Sequence, residues 1–178
     1  MCIVLGMDKR KALFFLICIL GLLSSTVYGA GISDFEFSIV DKVDEETLSI
    51  MARAKSGDAE SQYIIGRLFC CSKSVKYDPI KSAFWVGRAA GQGHVEAQFR
   101  VGYIHSIGSG VKKDKRKALL WYSRAADKGH AGALFRLGEM YFKGDGVKKN
   151  DQKAIEYLSK SAEQGNRGAI RLLSEVEK

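Results

Sequence analysis

The chain has 178 residues, 46% hydrophobic and 27% charged, with a formal net charge of +8. This is the composition of an ordinary globular chain about one domain long. The charge excess bears on solubility and a mild preference for anionic surfaces, not on fold, and a single proline suits a mostly helical chain.

The first thirty residues stand apart. Lys9, Arg10 and Lys11 precede an apolar run beginning at Ala12, and small residues, Ser24, Ser25, Gly29 and Ala30, follow it. A basic start, an apolar stretch and a small-residue end describe a secretory signal peptide over residues 1–30, cut after Gly29 or Ala30. A retained anchor is the alternative. No charge falls between Ala12 and Ser33, 22 residues, enough to span a bilayer at about 1.5 Å per residue. Cys18 has no small-residue box before it, which argues against a lipid anchor there. Residues 31–43 alternate apolar and polar through Phe35, Phe37 and Ile39, and read as an extended or disordered leader.

From residue 44 to 178 the chain is a helical repeat domain. Shifted by 36, the sequence falls on itself: Gly57, Gly93, Gly129 and Gly165 align, then Gly66, Gly102 and Gly138, then Ser61, Ala97, Ala133 and Ala169. A period of this size marks a stacked-repeat protein. Residues 44–56 predict a first cap helix, with Asp44 as its N-cap and Gly57 ending it. Units of about 57–92, 93–128 and 129–164 follow, each a pair of helices.

The first unit opens with a helix over about 59–71 carrying Ser61, Ile65, Leu68 and Phe69. Its second helix starts at Asp78-Pro79, a capping aspartate with proline at the first helical position, and buries Ala83, Trp85, Val86, Ala89 and Ala90. In the second unit Ala97, Val101 and Ile104 mark the first helix. The turn is Gly108-Ser109-Gly110-Val111, and Asp114 caps a helix striped by Ala118, Leu119, Trp121, Tyr122, Ala125 and Ala126. The third unit matches through Ala133, Leu137, Met140 and Tyr141, the turn Gly144-Asp145-Gly146-Val147, the cap Asn150, and Ala154, Tyr157, Leu158 and Ala162. A last cap helix within 165–178 starts with Ala169, Leu172 and Leu173 and ends polar, as the end of an array requires.

Small residues at 61, 97 and 133 and glycines at 66, 102 and 138 let helices approach. The large residues Trp85, Trp121 and Tyr157 are expected to fill the space opposite. The glycine pairs reverse the chain at positive φ. The first unit has Ser72 and Ser74 in their place, beside Cys70 and Cys71. That adjacent pair reads as two half-buried thiols at a helix end, with a vicinal disulfide or an intermolecular link as the alternatives.

The third unit shows the full pattern: Ala133, Leu137-Gly138, Tyr141, Gly144, Gly146-Val147, Asn150, Lys153-Ala154, Tyr157, Ala162 and Gly165. It resembles the Sel-one-like repeat, a relative of the tetratricopeptide repeat with a slightly longer unit. The likeness covers roughly residues 57–169 and is weakest in the first unit. It implies an all-α fold, a right-handed α-solenoid of antiparallel helix pairs, and a role as a protein-binding scaffold. Members of this family act as adaptors in signalling, membrane-protein quality control, envelope processes and host contact.

Catalytic patterns are missing their partners. The glycine turns lack the preceding strand and following Lys-Ser/Thr of a phosphate loop. Ser109 and Lys112 are spaced as in serine β-lactamases, without the S-D-N and K-T-G elements that enzyme needs. His94 and His130 share one repeat position, filled by Asp58 and Asn166 elsewhere, which points to capping. No metal-ligand spacing occurs, so no metal and no cofactor are expected, and no stacking platform for nucleic acid exists. The run Lys112, Lys113, Lys115, Arg116 and Lys117 reads as a solvated edge, with an acidic partner or anionic lipid as the alternative.

Recognition is expected on the unpacked side of each first helix, where the units differ, Ile64 and Leu134 included, with the contacts made by Gln62 and Arg67; Gln98, Arg100 and Tyr103; Arg136 and Glu139. Arginine and tyrosine are the types that interface hot spots favour. The expectation is an exported, non-enzymatic scaffold holding a protein partner, one with an acidic surface, in its concave groove as an envelope adaptor. The alternative is a host-factor-binding or toxin-neutralising envelope protein; a hydrolase comes third. The bacterial periplasm is the expected site, with secretion or inner-membrane anchoring as alternatives and membrane contact only through the signal or an uncleaved anchor.

Overall fold

The computed structural model describes residues 45–71 and 77–176. The expected signal peptide, the leader, the cap Asp44 and the serine-containing first turn lie outside these residues. Eight α-helices and no strand occur among them: α1 (Glu45–Ser56), α2 (Ala59–Cys71), α3 (Pro79–Gly91), α4 (Val95–Ile107), α5 (Lys115–Ala126), α6 (Ala131–Lys143), α7 (Asp151–Glu163) and α8 (Arg167–Val176). Each helix packs on its neighbours in sequence, and α8 also touches α6. The result is an α-solenoid of antiparallel helix pairs, α2–α3, α4–α5 and α6–α7, with α1 before and α8 after.

The core is divided into packets along the array. One holds Tyr63, Val86, Ala89, Ala97, Val101 and Ile104, with Trp121 against it. The next holds Ala118, Tyr122, Ala125, Ala133, Leu134, Leu137 and Met140. The last joins Leu158, Ala169 and Leu172 to Phe135 and Phe142. Each packet spans helices of adjacent units, so the stability of a unit depends on its neighbours.

The second helices are started by their side chains. Asp78 accepts from Ile80 N at 3.1 Å and Lys81 N at 3.0 Å. Asp114 accepts from Lys117 N at 3.0 Å and Asn150 from Lys153 N at 2.9 Å. These bonds satisfy amide donors that a helix leaves without internal partners. Gly108 and Gly144 end the first helices in the left-handed region, at φ 83° and 69°. Gly110 has a second reason to be glycine: a Cβ there would run into the Pro79 carbonyl. The turn of one unit thus lies on the start of the second helix of the unit before it.

One packing expectation is corrected. Val86, Tyr122 and Leu158 cover the glycines of the first helices, not Trp85, Trp121 and Tyr157. A Cβ at Gly102 would meet the Tyr122 ring at 2.6 Å, and one at Gly138 would meet Leu158 at 2.6 Å. Successive helical residues point about 100° apart. The aromatic row is therefore turned aside: Tyr157 stacks on Tyr141 with ring centroids 5.7 Å apart. Cys70 is a second correction to the reading of free thiols, since it is disulfide-bonded.

Candidate functional site

A line of polar contacts crosses the joints between units, beginning at the N-caps of the first helices. Asp58 accepts from Ser61 N at 2.8 Å. His94 and His130 do the same through Nδ1, accepting from Ala97 N and Ala133 N at 3.1 Å. An Nδ1 that accepts carries no proton, so the proton sits on Nε2. That nitrogen faces the preceding unit: His94 Nε2 lies 2.9 Å from Glu60, and His130 Nε2 lies 2.8 Å from Glu96. Each imidazole also stacks on an aromatic ring of the preceding unit, His94 on Tyr63 at 4.7 Å and His130 on Phe99 at 4.5 Å. Both histidines are structural clasps.

Gln62 and Gln98, expected to contact a partner, are corrected to core residues. They are 0% and 5% exposed. Gln62 Nε2 donates to Ala54 O at 3.0 Å, and its Oε1 accepts from Gln92 Nε2 at 2.8 Å. Gln98 Nε2 donates to Ala90 O at 3.3 Å. Each glutamine reaches back to a carbonyl near the end of the preceding second helix, where the helix has run out of internal donors. Leu134 holds the same place in the third unit and is buried too.

The other five residues fall into two groups. Arg67 and Arg100 flank the Tyr63 phenol. Arg67 lies 5.7 Å from the ring centroid. Burial pushes the Tyr63 phenol above its ordinary value and Glu96 adds to the push, while Arg100 and Arg67 oppose it. Neither arginine has an ion-pair partner among the described residues, and Arg100 Nε is buried with no acceptor. Arg67 is exposed and Arg100 half-buried.

The second group gathers around Tyr122. Its hydroxyl is 3.5 Å from Ser106 Oγ. Burial raises its phenol, the Ser106 contact and Arg136 oppose, and Tyr103 and Glu139 add to the rise. Here the charges are already matched. Arg136 Nη1 donates to Glu139 Oε2 at 2.7 Å, and Lys143 Nζ donates to Glu139 Oε1 at 3.2 Å. Tyr103 remains exposed.

Sequence reasoning missed the two phenols that organise these groups. Tyr63 stands in register with Phe99 and Phe135, and Tyr122 with Val86 and Leu158. In each row it is the sole member with a hydroxyl, and that was the available signal. No group of three metal-ligating side chains exists among the described residues, and Ser109 sits in the turn after α4 rather than at a helix start. No described helix is long and apolar enough to cross a membrane.

Stacked helix pairs of 36 residues with a polar first-helix face define an α-solenoid of the protein-interaction class. The Sel1 repeat family matches three times, over residues 59–94, 95–130 and 131–166, and the chain belongs to that family. Its repeats are generally non-catalytic scaffolds that bind other proteins. The matched units keep the expected period, two residues later in phase.

Among solved structures, a Sel1 repeat protein from Oxalobacter formigenes is 32% identical, with a TM-score of 0.67, and is covered over 99% of its length by 74% of this chain. A protective antigen of uropathogenic Escherichia coli with the SLR fold is 31% identical, also at TM-score 0.67, with 71% of this chain and 27% of that one aligned. This chain therefore spans about a quarter of that relative. Cysteine-rich protein B of Helicobacter pylori shares the fold at 21% identity and TM-score 0.59, over 75% of this chain and 98% of that one. A comparison with curated protein sequences finds no match.

Proposed function

We propose that the protein is an exported adaptor that binds an acidic segment of a partner protein along its first helices, with Arg67 and Arg100 as anchors. The observation that carries this is the Arg67–Tyr63–Arg100 group. It holds two guanidinium ions without a carboxylate among the described residues, and one buried Nε–H without an acceptor. A guanidinium offers a planar fork of donors that matches a carboxylate. A carboxylate of the partner would be met by the exposed Arg67 and by the part of Arg100 that stays accessible. Tyr103 offers an exposed aromatic edge beside the anchors, and Arg136, held by Glu139, contributes shape more than charge.

Export is supported by the basic and apolar N-terminus and by the disulfide at Cys70, a bond that persists in oxidising compartments. The adaptor would then work in the bacterial envelope. A second reading is host contact, favoured by the relative described as a protective antigen, since an antigen must be met by the immune system.

Affinity capture with tagged protein from envelope fractions tests the proposal. A stoichiometric acidic partner should be retained by the parent chain and lost with Arg67→Glu plus Arg100→Glu. Unchanged capture by that double variant would refute the anchor assignment. Capture of a host protein instead of an envelope protein selects the second reading.

A further inference from the structure

The outward side of the second helices carries a feature that the repeat does not require. Leu48 of α1, Phe84 of α3 and Leu120 of α5 hold one register position and are 47%, 57% and 50% exposed. Ile80, 69% exposed, precedes Phe84 by four residues and so shares its side of α3; Tyr77, 64% exposed, stands just before the cap Asp78. The inner side of α3, through Val86, Ala89 and Ala90, is buried, and the buried Trp85 ring lies at its border, 5.3 Å from the Phe84 ring. In the third unit the same register positions are Lys149, before the cap of α7, and Gln152 and Glu156 on it, and Glu156 accepts from Lys160 Nζ at 2.7 Å. A second helix therefore folds equally well with a charged outer row. Large exposed apolar side chains with no scaffold role mark a contact surface.

The surroundings of this row are cationic. Arg88 lies over the rings of Phe84 and Trp85, at 5.9 and 5.8 Å, and Arg124 over Trp121 at 4.5 Å. Lys113 and Arg116 stand in register with Tyr77 and Ile80. No ion pair occupies Lys113, Arg116 or Arg124 among the described residues, although basic groups crowd the first turn of α5, where the helix dipole disfavours them. The apolar residues do not converge on one spot. They project from alternate helices, α1, α3 and α5, an arrangement that suits a flat, fluid surface better than a shaped protein pocket.

We propose that this outer face docks the protein on an anionic lipid bilayer. Ile80, Phe84 and Leu120 enter the headgroup layer, Tyr77 rests at its boundary, and Arg88, Lys113, Arg116 and Arg124 meet lipid phosphates. The guanidinium groups of Arg88 and Arg124 lie over ring faces beside the row, and both arginines are exposed, so their outer N–H groups can meet a phosphate. The acidic-segment face on the first helices stays open while the outer face is docked, so the two surfaces act independently.

The chain supplies its own probes. Its two tryptophans, Trp85 and Trp121, are the sequence neighbours of Phe84 and Leu120, and the N-terminal apolar segment has none. Insertion of that segment alone therefore gives no tryptophan signal. The full chain is mixed with vesicles carrying brominated acyl chains, either pure phosphatidylcholine or a mixture with phosphatidylglycerol. Tryptophan emission should be quenched by the anionic vesicles and far less by the neutral ones. Ile80→Glu plus Phe84→Glu should weaken the apparent affinity at least about tenfold, since burying each side chain is worth more than a tenfold factor. Lys113→Glu plus Arg116→Glu should weaken it on anionic vesicles only. Both pairs are exposed, so an unchanged helical circular dichroism spectrum is expected and separates docking from folding. Equal quenching by both lipids, or quenching that survives Ile80→Glu plus Phe84→Glu, would overturn the proposal. Lipid-free self-association lost in that same variant, without anionic quenching in the parent, would assign the row to a second copy and overturn it equally.

Discussion

Substituting leucine for Gln62 and for Gln98 should move stability in opposite directions, although the two residues hold one repeat position. Gln62 gives and receives a well-formed bond, to Ala54 O at 3.0 Å and from Gln92 Nε2 at 2.8 Å. At about 1 kcal/mol each, Gln62→Leu loses about 2 kcal/mol. Leucine returns part of that through its apolar surface, so the net cost is about 1 kcal/mol. Gln98 makes one long bond, 3.3 Å to Ala90 O, and its Oε1 is buried with no donor. The Ala90 carbonyl keeps Gly93 N at 3.0 Å, as the Ala54 carbonyl keeps Gly57 N at 3.2 Å, so neither substitution strands a carbonyl and the difference lies in the bonds lost and in Gln98 Oε1. Gln98→Leu removes that desolvated oxygen, worth about 1–3 kcal/mol. The expected result is a gain of about 1 kcal/mol, making the third unit's Leu134 the better solution. For a chain of this size 1 kcal/mol corresponds to about 2–4 °C in Tm. Thermal unfolding should therefore separate the two variants by about 6 °C, and urea midpoints should rank them alike. Equal shifts, or a Gln98→Leu variant less stable than Gln62→Leu, would refute the distinction between a satisfied and an unsatisfied buried amide.

Two further perturbations follow from the geometry. Gly102→Ala sets a methyl group against the Tyr122 ring and should cost about 1–3 kcal/mol, whereas Gly87→Ala on α3, with nothing within 4 Å, should gain up to about 1 kcal/mol from helix propensity; chemical denaturation distinguishes them. The Asp58 and Asp114 carboxyls are held below the ordinary 3.8 chiefly by the bonds they accept at Ser61 and Lys117. A value lowered by folding adds stability that is complete above the unfolded value and lost as pH falls through the folded one. Asp114→Asn, which caps without titrating, should flatten the loss of stability below about pH 4, read as urea midpoints at neutral and acid pH.

The period of 36 was legible because the residues that carry it meet backbone directly. Gly102 admits Tyr122, Gly110 admits the Pro79 carbonyl, and Asp78, Asp114 and Asn150 each close a helix end. Such local requirements leave little choice of side chain. The candidate site was less legible. Variation between units marks recognition only at exposed positions; a core position also varies when different side chains solve one packing problem, as Gln62, Gln98 and Leu134 do. The position of Leu134 in that row was the warning, since one copy was openly apolar. Arg67 and Arg100 could be placed on a face from spacing alone, but their meeting at Tyr63 depends on how adjacent pairs stack. Trp85 and Val86 differ by one residue, and which of them covers Gly66 is decided by helix rotation that periodicity leaves open. The Glu60–His94 and Glu96–His130 pairs are 34 residues apart, a separation that only the stacked array brings within reach.

Those clasps give the molecule a direction. At the joints after the first and second units, a histidine caps a helix, stacks on the ring behind it and meets a glutamate. Side chains from Gln92 and Lys128 also tie back to Gly57 O and Gly93 O, at 2.9 and 2.6 Å. At the third joint Asn166 caps alone, Gly132 stands where the glutamate would be, and Gln164 turns to its own helix at Lys160 O. In a chain of nearest-neighbour couplings, the weakest of these three joints sets where, among them, a boundary between folded and unfolded segments costs least. The array behaves like a zipper with its pull tab at the C-terminal end. α8 can part and return without disturbing the Arg67–Tyr63–Arg100 group, which spans the joint between the first and second units, with the second histidine clasp between it and α8.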